Sequence, residues 1–328
     1  MIVEHDKRSS WEELSSFVET SDSSLYLEYL RDYFPGFTAC KVALLKAAWE
    51  GQDEGEVFVE RDASGLAVAA TFQGSPWDYD VFHLKIGRIG AVFFSSVQGL
   101  SMESRVEVLS AILDYAKSRG YAQVQMRVRA ADLPTLHAAE DLGFRLYDAL
   151  DIFARDLTTL PPFKLRPVAG VQFCDISGAD ERLVCQMARE AFSSTRYFRD
   201  PRFPPERAGY LYEKLARDLL ARDSPFVGAV DSQGFLGFAL GAQDEGLSRS
   251  LDASFGYLWL IAVAQRARGK GLGATLLQRF IEGVRPQMRF LEIGTQVDNC
   301  PAINLYQRLG IRKQAALFTL HRWLIDNP

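Results

Sequence analysis

Hydrophobic residues fall into two periods along this chain. Met102, Val106, Leu109, Leu113 and Ala116 recur at helical spacing, and so do Leu276, Leu277, Phe280, Ile281 and Val284. Each set marks one face of a helix laid on a core. Between such helices stand short runs rich in β-branched and aromatic residues: 56–60 and 66–72 joined by the turn DASG, then 123–129, 254–264 and 290–297. Residues 226–241 read as a hairpin around a polar, glycine-containing turn, 171–177 as a short strand, and 75–94 as a turn followed by a strand. Segments 180–192 and 204–222 read as helices, the second opening on prolines. Near the start, 9–19 and 24–34 read as two short helices, with Ser10 and Glu13 spaced as a capping box. Strands interleaved with helices predict an α/β (α+β) fold.

Two adjacent prolines and a third interrupt 157–167, near the midpoint, and predict a linker. The halves on either side resemble each other. Residues 128–155 align with 295–322 at an offset of 167. In that register Pro134 meets Pro301, Leu142 meets Leu309, Gly143 meets Gly310, Arg145 meets Arg312, Ala149 meets Ala316 and Arg155 meets Arg322. Each copy reads helix, strand, turn, short helix ending in Leu-Gly, then antiparallel strands. Two tandem units follow, 1–157 and 168–328.

Composition narrows the class. With 328 residues, 48% of them hydrophobic and 24% charged, the chain is globular and of two-domain length. A net charge of -5 argues against a nucleic-acid partner. Four cysteines without a C-x-x-C pair and four scattered histidines argue against a disulfide framework and a metal site. No apolar run approaches the roughly 18 residues of a membrane span, and the first residues lack the order of a signal peptide. A cytoplasmic protein with no membrane partner is expected.

One motif carries chemistry. The strand 257–264 runs into Arg268-Gly269-Lys270-Gly271-Leu272-Gly273, and a helix follows. Glycines in a strand-to-helix turn let backbone approach a ligand, and the new helix offers free N–H groups and its positive end to an anion. A glycine-rich turn with two solvated cations is the plainer reading. A dinucleotide fold would begin from a parallel βαβ unit, and a P-loop would need Gly-Lys-Ser/Thr. Neither pattern fits.

The string R-G-K-G-L-G after LWLIAVA resembles the acetyl-CoA signature of the GNAT acyltransferase superfamily, Arg/Gln-x-x-Gly-x-Gly/Ala. About thirty residues on, that superfamily commonly has Asn, a small residue and Tyr, matched here by Asn299, Ala302 and Tyr306. The resemblance covers residues 168–325. It implies tandem GNAT-like domains, each a mixed, mostly antiparallel sheet flanked by helices, with the second catalytic and acetyl-CoA as cofactor. Backbone groups of Ile261, Ala262 and Val263 would bind the pantetheine arm like an added strand. Amides from Arg268 through Gly269, Lys270, Gly271, Leu272 and Gly273 to Ala274 would cradle the pyrophosphate. Asn299 would bind a pantetheine amide, and Tyr306 would protonate the departing thiolate. Direct attack by an amine needs no nucleophilic cysteine, which leaves Cys300 as a small buried thiol beside the cofactor. The first copy has Ser104, Val106 and Ala139 in place of Gly271, Gly273 and Tyr306, and so lacks the equipment.

The general base and the acceptor stay open. Glu292 shares a strand face with Gln296; Asp244 and Glu245, in a loop, are rivals, and an exposed, solvated carboxylate is the plainer reading of each. Segments 192–204 and TQVDN resemble parts of the bacterial TDP-fucosamine acetyltransferases, which N-acetylate TDP-4-amino-4,6-dideoxygalactose. That resemblance implies an amino sugar nucleotide as the small-molecule acceptor. Arg196, Arg199 and Arg202, with Tyr197 and Phe198, would grip its diphosphate and stack its base, unless they form a solvated basic loop. Another amine, an amino acid or a protein N-terminus, is the alternative acceptor, and a CoA-binding sensor the non-enzyme alternative. A monomer or homodimer is expected.

Overall fold

The computed structural model describes residues 4–5, 9–62, 65–95, 101–165, 167–175, 178–222 and 224–326, of which 4–5 and 178–180 are described by backbone alone. The chain divides into two compact units: Met1–Ala149 with Ala315–Pro328, and Leu150–Gln314. The expected boundaries, 1–157 and 168–328, differ at both ends. Each repeat's last strand is divided between the units.

In chain order the first repeat forms β1 (Glu4–His5), α1 (Trp11–Thr20), β2 (Asp22–Ser23), α2 (Phe37–Trp49), β3 (Glu56–Asp62), β4 (Gly65–Gly74), α3 (Pro76–Phe82), β5 (Ile86–Phe94), α4 (Met102–Ser118), β6 (Gln123–Arg129), α5 (Leu133–Asp141) and β7 (Arg145–Asp156). The second forms β8 (Gln172–Cys174), α6 (Gly178–Ala191), α7 (Arg196–Arg199), α8 (Pro205–Leu220), β9 (Phe226–Asp231), β10 (Gly234–Gln243), α9 (Glu245–Leu251), β11 (Phe255–Val263), α10 (Leu272–Val284), β12 (Phe290–Gln296), α11 (Cys300–Arg308) and β13 (Arg312–Trp323).

Both units carry the same sheet. The first runs β1-β3-β4-β5-β6 and closes on β13, whose Leu317–Trp323 pair with β6; only β5/β6 is parallel. The second runs β8-β9-β10-β11-β12 and closes on β7, whose Leu150–Asp156 pair with β12; only β11/β12 is parallel. Thus each unit's last strand comes from the other repeat. In the second unit α10 and α11 cover one face, burying Leu276, Leu277 and Phe280 against Leu258, Leu291 and Ile293. On the other face α6 and α8 set Val184, Ala188 and Leu219 against Phe238, Leu240 and Leu260. Each such large apolar side chain contributes about 1.5–3 kcal/mol of burial.

Several expectations are corrected. Residues 76–82 form a helix where a turn was expected: Ser75 caps it by accepting from Asp78 N–H, and Pro76 occupies its first turn. Residues 26–32 form a 3-10 helix, and α2 follows unexpected by the sequence pattern. The buried face of α2 holds Phe37, Cys40, Leu45 and Ala48 but also Lys41, whose ammonium donates to Ser21 C=O (2.5 Å), while the apolar Val42 and Ala43 lie off it, so the sequence shows no clean apolar stripe. The expected linker packs on the second unit. Leu157 and Leu160 lie in its core, Arg285 binds the carbonyls of both, and Phe163 N–H donates to Glu282 (2.9 Å). Parts of three expectations, residues 63–64 of the DASG turn, Arg166 of the linker and residues 176–177 of the first strand of the second half, lie outside the described residues. Among the described residues no helix is long and apolar enough to cross a membrane, and no side chains cluster as metal ligands.

Candidate active site

The second unit's sheet opens at β11. Parallel pairing with β12 runs from Phe255/Phe290 to Leu258/Ile293 and stops. At the same point the β10/β11 register shifts between Leu240 and Gly241, leaving Trp259 as an extra residue on β11. A bulge bends its strand and ends regular pairing. Beyond it, among the described residues, β11 pairs with β10 alone. Ala264 N–H donates to Leu236 C=O (2.8 Å), which fixes the alternation of the ladder. Leu260 and Ala262 therefore share bonds with β10, while Ile261 and Val263 turn their backbone groups toward the side β12 has left. Val263 C=O accepts from Arg268 Nε there (3.1 Å).

The first unit shows the same opening, closed by its own chain. Parallel pairing of β5 with β6 ends at Ile89/Met126. On the vacated edge lies β2, pairing Asp22 with Phe94 and Ser23 with Phe93. Ser24 N–H donates to Val92 C=O (2.9 Å), and Val92 N–H donates to Ser24 Oγ (3.0 Å). Counted from the strand ends, Val92 stands where Ile261 stands in the second unit. Both of its backbone groups are satisfied within the protein.

The two helices that follow these strands also differ at their starts. Gly269 (φ 73°) and Gly271 (φ 81°) hold left-handed backbone that other residues adopt at a cost, and a Cβ at either would meet nothing within 4 Å. Gly271 is the N-cap of α10 and offers no side chain to the first-turn N–H groups. A Cβ on Gly273 would lie 3.7 Å from Val263 Cγ2 and 3.9 Å from Leu305 Cδ2, so the turn, the end of β11 and α11 meet here. Arg266 is held away on Asp231 (2.6 and 2.9 Å), whereas Lys270 is exposed and pairs with no carboxylate among the described residues. In α4 the Ser101 side chain caps Ser104 N–H (3.0 Å), and Ser104 Oγ donates to buried Glu60 (3.1 Å). This helix begins one turn earlier than the 167-residue offset implies, so Ser101, not Ser104, takes the position of Gly271.

Tyr306 lies in α11, 3% exposed, its ring edge-on to Phe153 at 5.4 Å. Burial alone pushes its phenol well above the ordinary range, and no group among the described residues hydrogen-bonds its hydroxyl. The helix is fixed at both ends. Asn299 caps it by accepting from Ala302 N–H (3.3 Å), and Gly310 (φ 77°) ends it, with Ile311 N–H on Tyr306 C=O (3.0 Å). Asn299 Nδ2 also donates to Thr295 (2.9 Å), leaving one amide hydrogen and one lone pair for a ligand. The first repeat keeps the cap, Asp132 on Thr135 N–H (3.3 Å), but has Ala139 where Tyr306 stands. Cys300, expected to be buried, is exposed in the first turn of α11.

Glu292, 4% exposed, is no solvated carboxylate. Leu291 and Ile293 belong to the core under α10 and α11, so Glu292 faces the opposite side of the sheet from Tyr306. The strand does not bring base and acid candidates to one face. Of the rivals, Asp244 is the N-cap of α9, accepting from Leu247 N–H (2.8 Å), and Glu245 is its first residue, in a helix rather than a loop. The acceptor segment also differs from expectation. Tyr197 is buried against Phe203, under the Arg196 guanidinium (4.2 Å), so its ring is no stacking surface. Arg199 pairs with Asp298 (2.8 Å), which ties α7 to the residue before Asn299.

The model of the acetyltransferase (GNAT) family matches residues 186–311, inside the second unit. A spore coat polysaccharide biosynthesis protein of Bacillus subtilis (strain 168), SpsD, is 30% identical over 146 residues, 44% of this chain and 48% of that protein, so the match spans about half of the relative. A GCN5-related N-acetyltransferase from Sphaerobacter thermophilus shares the fold with a TM-score of 0.61 at 18% identity, over 88% of this chain and 87% of its own. A tandem GNAT protein from the clavulanic acid biosynthesis pathway does so at 0.55 and 16%, over 89% of each chain. The second unit carries a GNAT-family acetyltransferase domain, and the tandem architecture is that of known GNAT structures.

Proposed function

We propose that the second unit transfers the acetyl group of acetyl-CoA to the primary amine of an amino sugar nucleotide. One observation carries the reading: an open backbone edge at Ile261 and Val263, an uncapped helix start at Gly271, and the Tyr306 helix converge at the end of β11. These residues fit acetyl-CoA, which supplies a thioester open to attack by an amine. Ile261 and Val263 would bind the pantetheine arm as a strand does, with Asn299 on one of its amides. The N–H groups of α10, with Lys270, would hold the pyrophosphate. The sugar acceptor draws support from the resemblance of 192–204 and from the polysaccharide pathway named for the Bacillus relative.

Glu292 and Tyr306 on opposite faces suit transfer across the split between β11 and β12. Glu292 takes the proton of the attacking amine, directly or through water, as the N–C bond forms. Tyr306 gives its proton to sulfur as the C–S bond breaks. The Val263 N–H supports charge developing on the acyl oxygen. Holding amine and carbonyl together makes the step effectively unimolecular. An ordinary phenol is about 1.5 pKa units weaker an acid than a thiol, or about 2 kcal/mol. Burial raises the Tyr306 phenol and widens that gap, so its proton passes to sulfur as the C–S bond breaks and not before.

Calorimetric titration with acetyl-CoA is expected to saturate at one equivalent per chain, because Ser24 already occupies the backbone groups of Val92. Two equivalents would show that the first unit's edge opens to cofactor; none would remove the reading altogether.

A further inference from the structure

Glu292 lies beside an aromatic row on the face away from α10 and α11. Phe290 stacks on Phe255 (5.6 Å), Phe255 meets Tyr257 edge-on (5.2 Å), and Tyr257 meets Trp259 (4.8 Å). Tyr257 and Glu292 are register partners on adjacent strands. The row climbs out of the core: Phe255 is 0% exposed, Tyr257 half-buried and Trp259 47% exposed. Its outer end is the bulge residue, beside the point where the sheet opens. Leu258 and Leu260 on either side are buried. The indole thus stands half open in the middle of a central strand, at the end of a continuous aromatic row and next to the sheet opening.

We propose that Trp259 is the specificity-determining platform for the acceptor, with the apolar face of an amino-sugar ring lying on its indole. The inference rests on the acetyl-transfer reading above and extends it. A nucleophilic primary amine sits on a saturated carbon, so the ring bearing it is saturated and turns C–H bonds, not a π-face, to the indole. Trp259 is two residues beyond Tyr257, at most about 6.6 Å along the strand, because the bulge shortens the regular rise. A pyranose with its amino substituent spans a similar distance, so a ring on Trp259 delivers its amine to Glu292. The developing positive charge on that nitrogen also favours the aromatic row.

The test is steady-state kinetics with acetyl-CoA and two amine probes, TDP-4-amino-4,6-dideoxygalactose and glucosamine, on the full chain. Trp259→Ala should raise KM for the probe turned over by about tenfold, and Trp259→Phe by about threefold or less. The acetyl-CoA Kd, kcat and Tm should stay near those of the parent. A Trp259→Ala variant whose acceptor KM lies within twofold of the parent overturns the platform. So does one whose acetyl-CoA Kd and Tm deteriorate together, because that is the mark of a packing residue. A parent that binds acetyl-CoA but acetylates neither probe overturns the sugar platform and leaves acetyl transfer standing. A parent that binds no acetyl-CoA removes the underlying reading.

Discussion

Tyr306→Phe is expected to lower kcat by about 10²–10⁴-fold, the usual worth of a general acid, with the acetyl-CoA Kd nearly unchanged. The substitution keeps the ring, its edge-on contact with Phe153 and its place in the core. It removes only a hydroxyl that no group among the described residues hydrogen-bonds. Tm should therefore hold. A buried hydroxyl with a structural partner would instead cost about 1–3 kcal/mol on removal. Burial raises the phenol above its ordinary value near 10, so Tyr306 keeps its proton through neutral and mildly alkaline pH. The kcat profile should accordingly show no alkaline fall from this group up to about pH 10. Near-parental kcat in a variant that melts markedly lower would make Tyr306 a core tyrosine and nothing more.

Gly271→Glu is expected to weaken acetyl-CoA binding by about 10²–10³-fold. Nothing lies within 4 Å of a Cβ at this position, so the side chain would project from the α10 N-terminus into the space assigned to the pyrophosphate. Two like charges about 4 Å apart near a protein surface repel by about 4 kcal/mol before salt screening, close to a thousandfold. The substitution also forces a non-glycine residue to φ 81°, which costs about 1–2 kcal/mol of stability. Gly271→Ala carries that strain without the charge and should bind far better than the glutamate variant. Calorimetry on folded protein separates the two. Equal affinities in parent and glutamate variant would mean that the pyrophosphate lies elsewhere.

Much of this was legible in the linear chain. Gly269 and Gly271 announced backbone that only glycine adopts cheaply, between a strand and a helix, and the structure has positive φ at both. The apolar stripes of α4 and α10 gave helices with buried faces. The Leu-Gly endings of the two copies fixed the C-termini of α5 and α11, where Gly143 and Gly310 take matching left-handed turns. These are local rules: spacing, caps and allowed dihedrals act over a few residues, so a few residues reveal them.

What pairing and packing settle did not show there. The repeats end in similar strands, and either could close either sheet, so nothing in their residues says that 150–156 pairs with β12 and 317–323 with β6. Asp22–Ser23 looks like any polar connection, yet it fills in the first unit the edge left open in the second. Trp259 reads as one more apolar residue of LWLIAV until a one-residue register shift against β10 turns it out of the core. Glu292 and Tyr306 stand fourteen positions apart in the chain, and only the assembled sheet sets them on opposite faces. Each of these is a matter of which distant backbone satisfies a strand's hydrogen bonds. That choice is made by long-range pairing against competing partners, and it leaves no periodic trace in the chain itself.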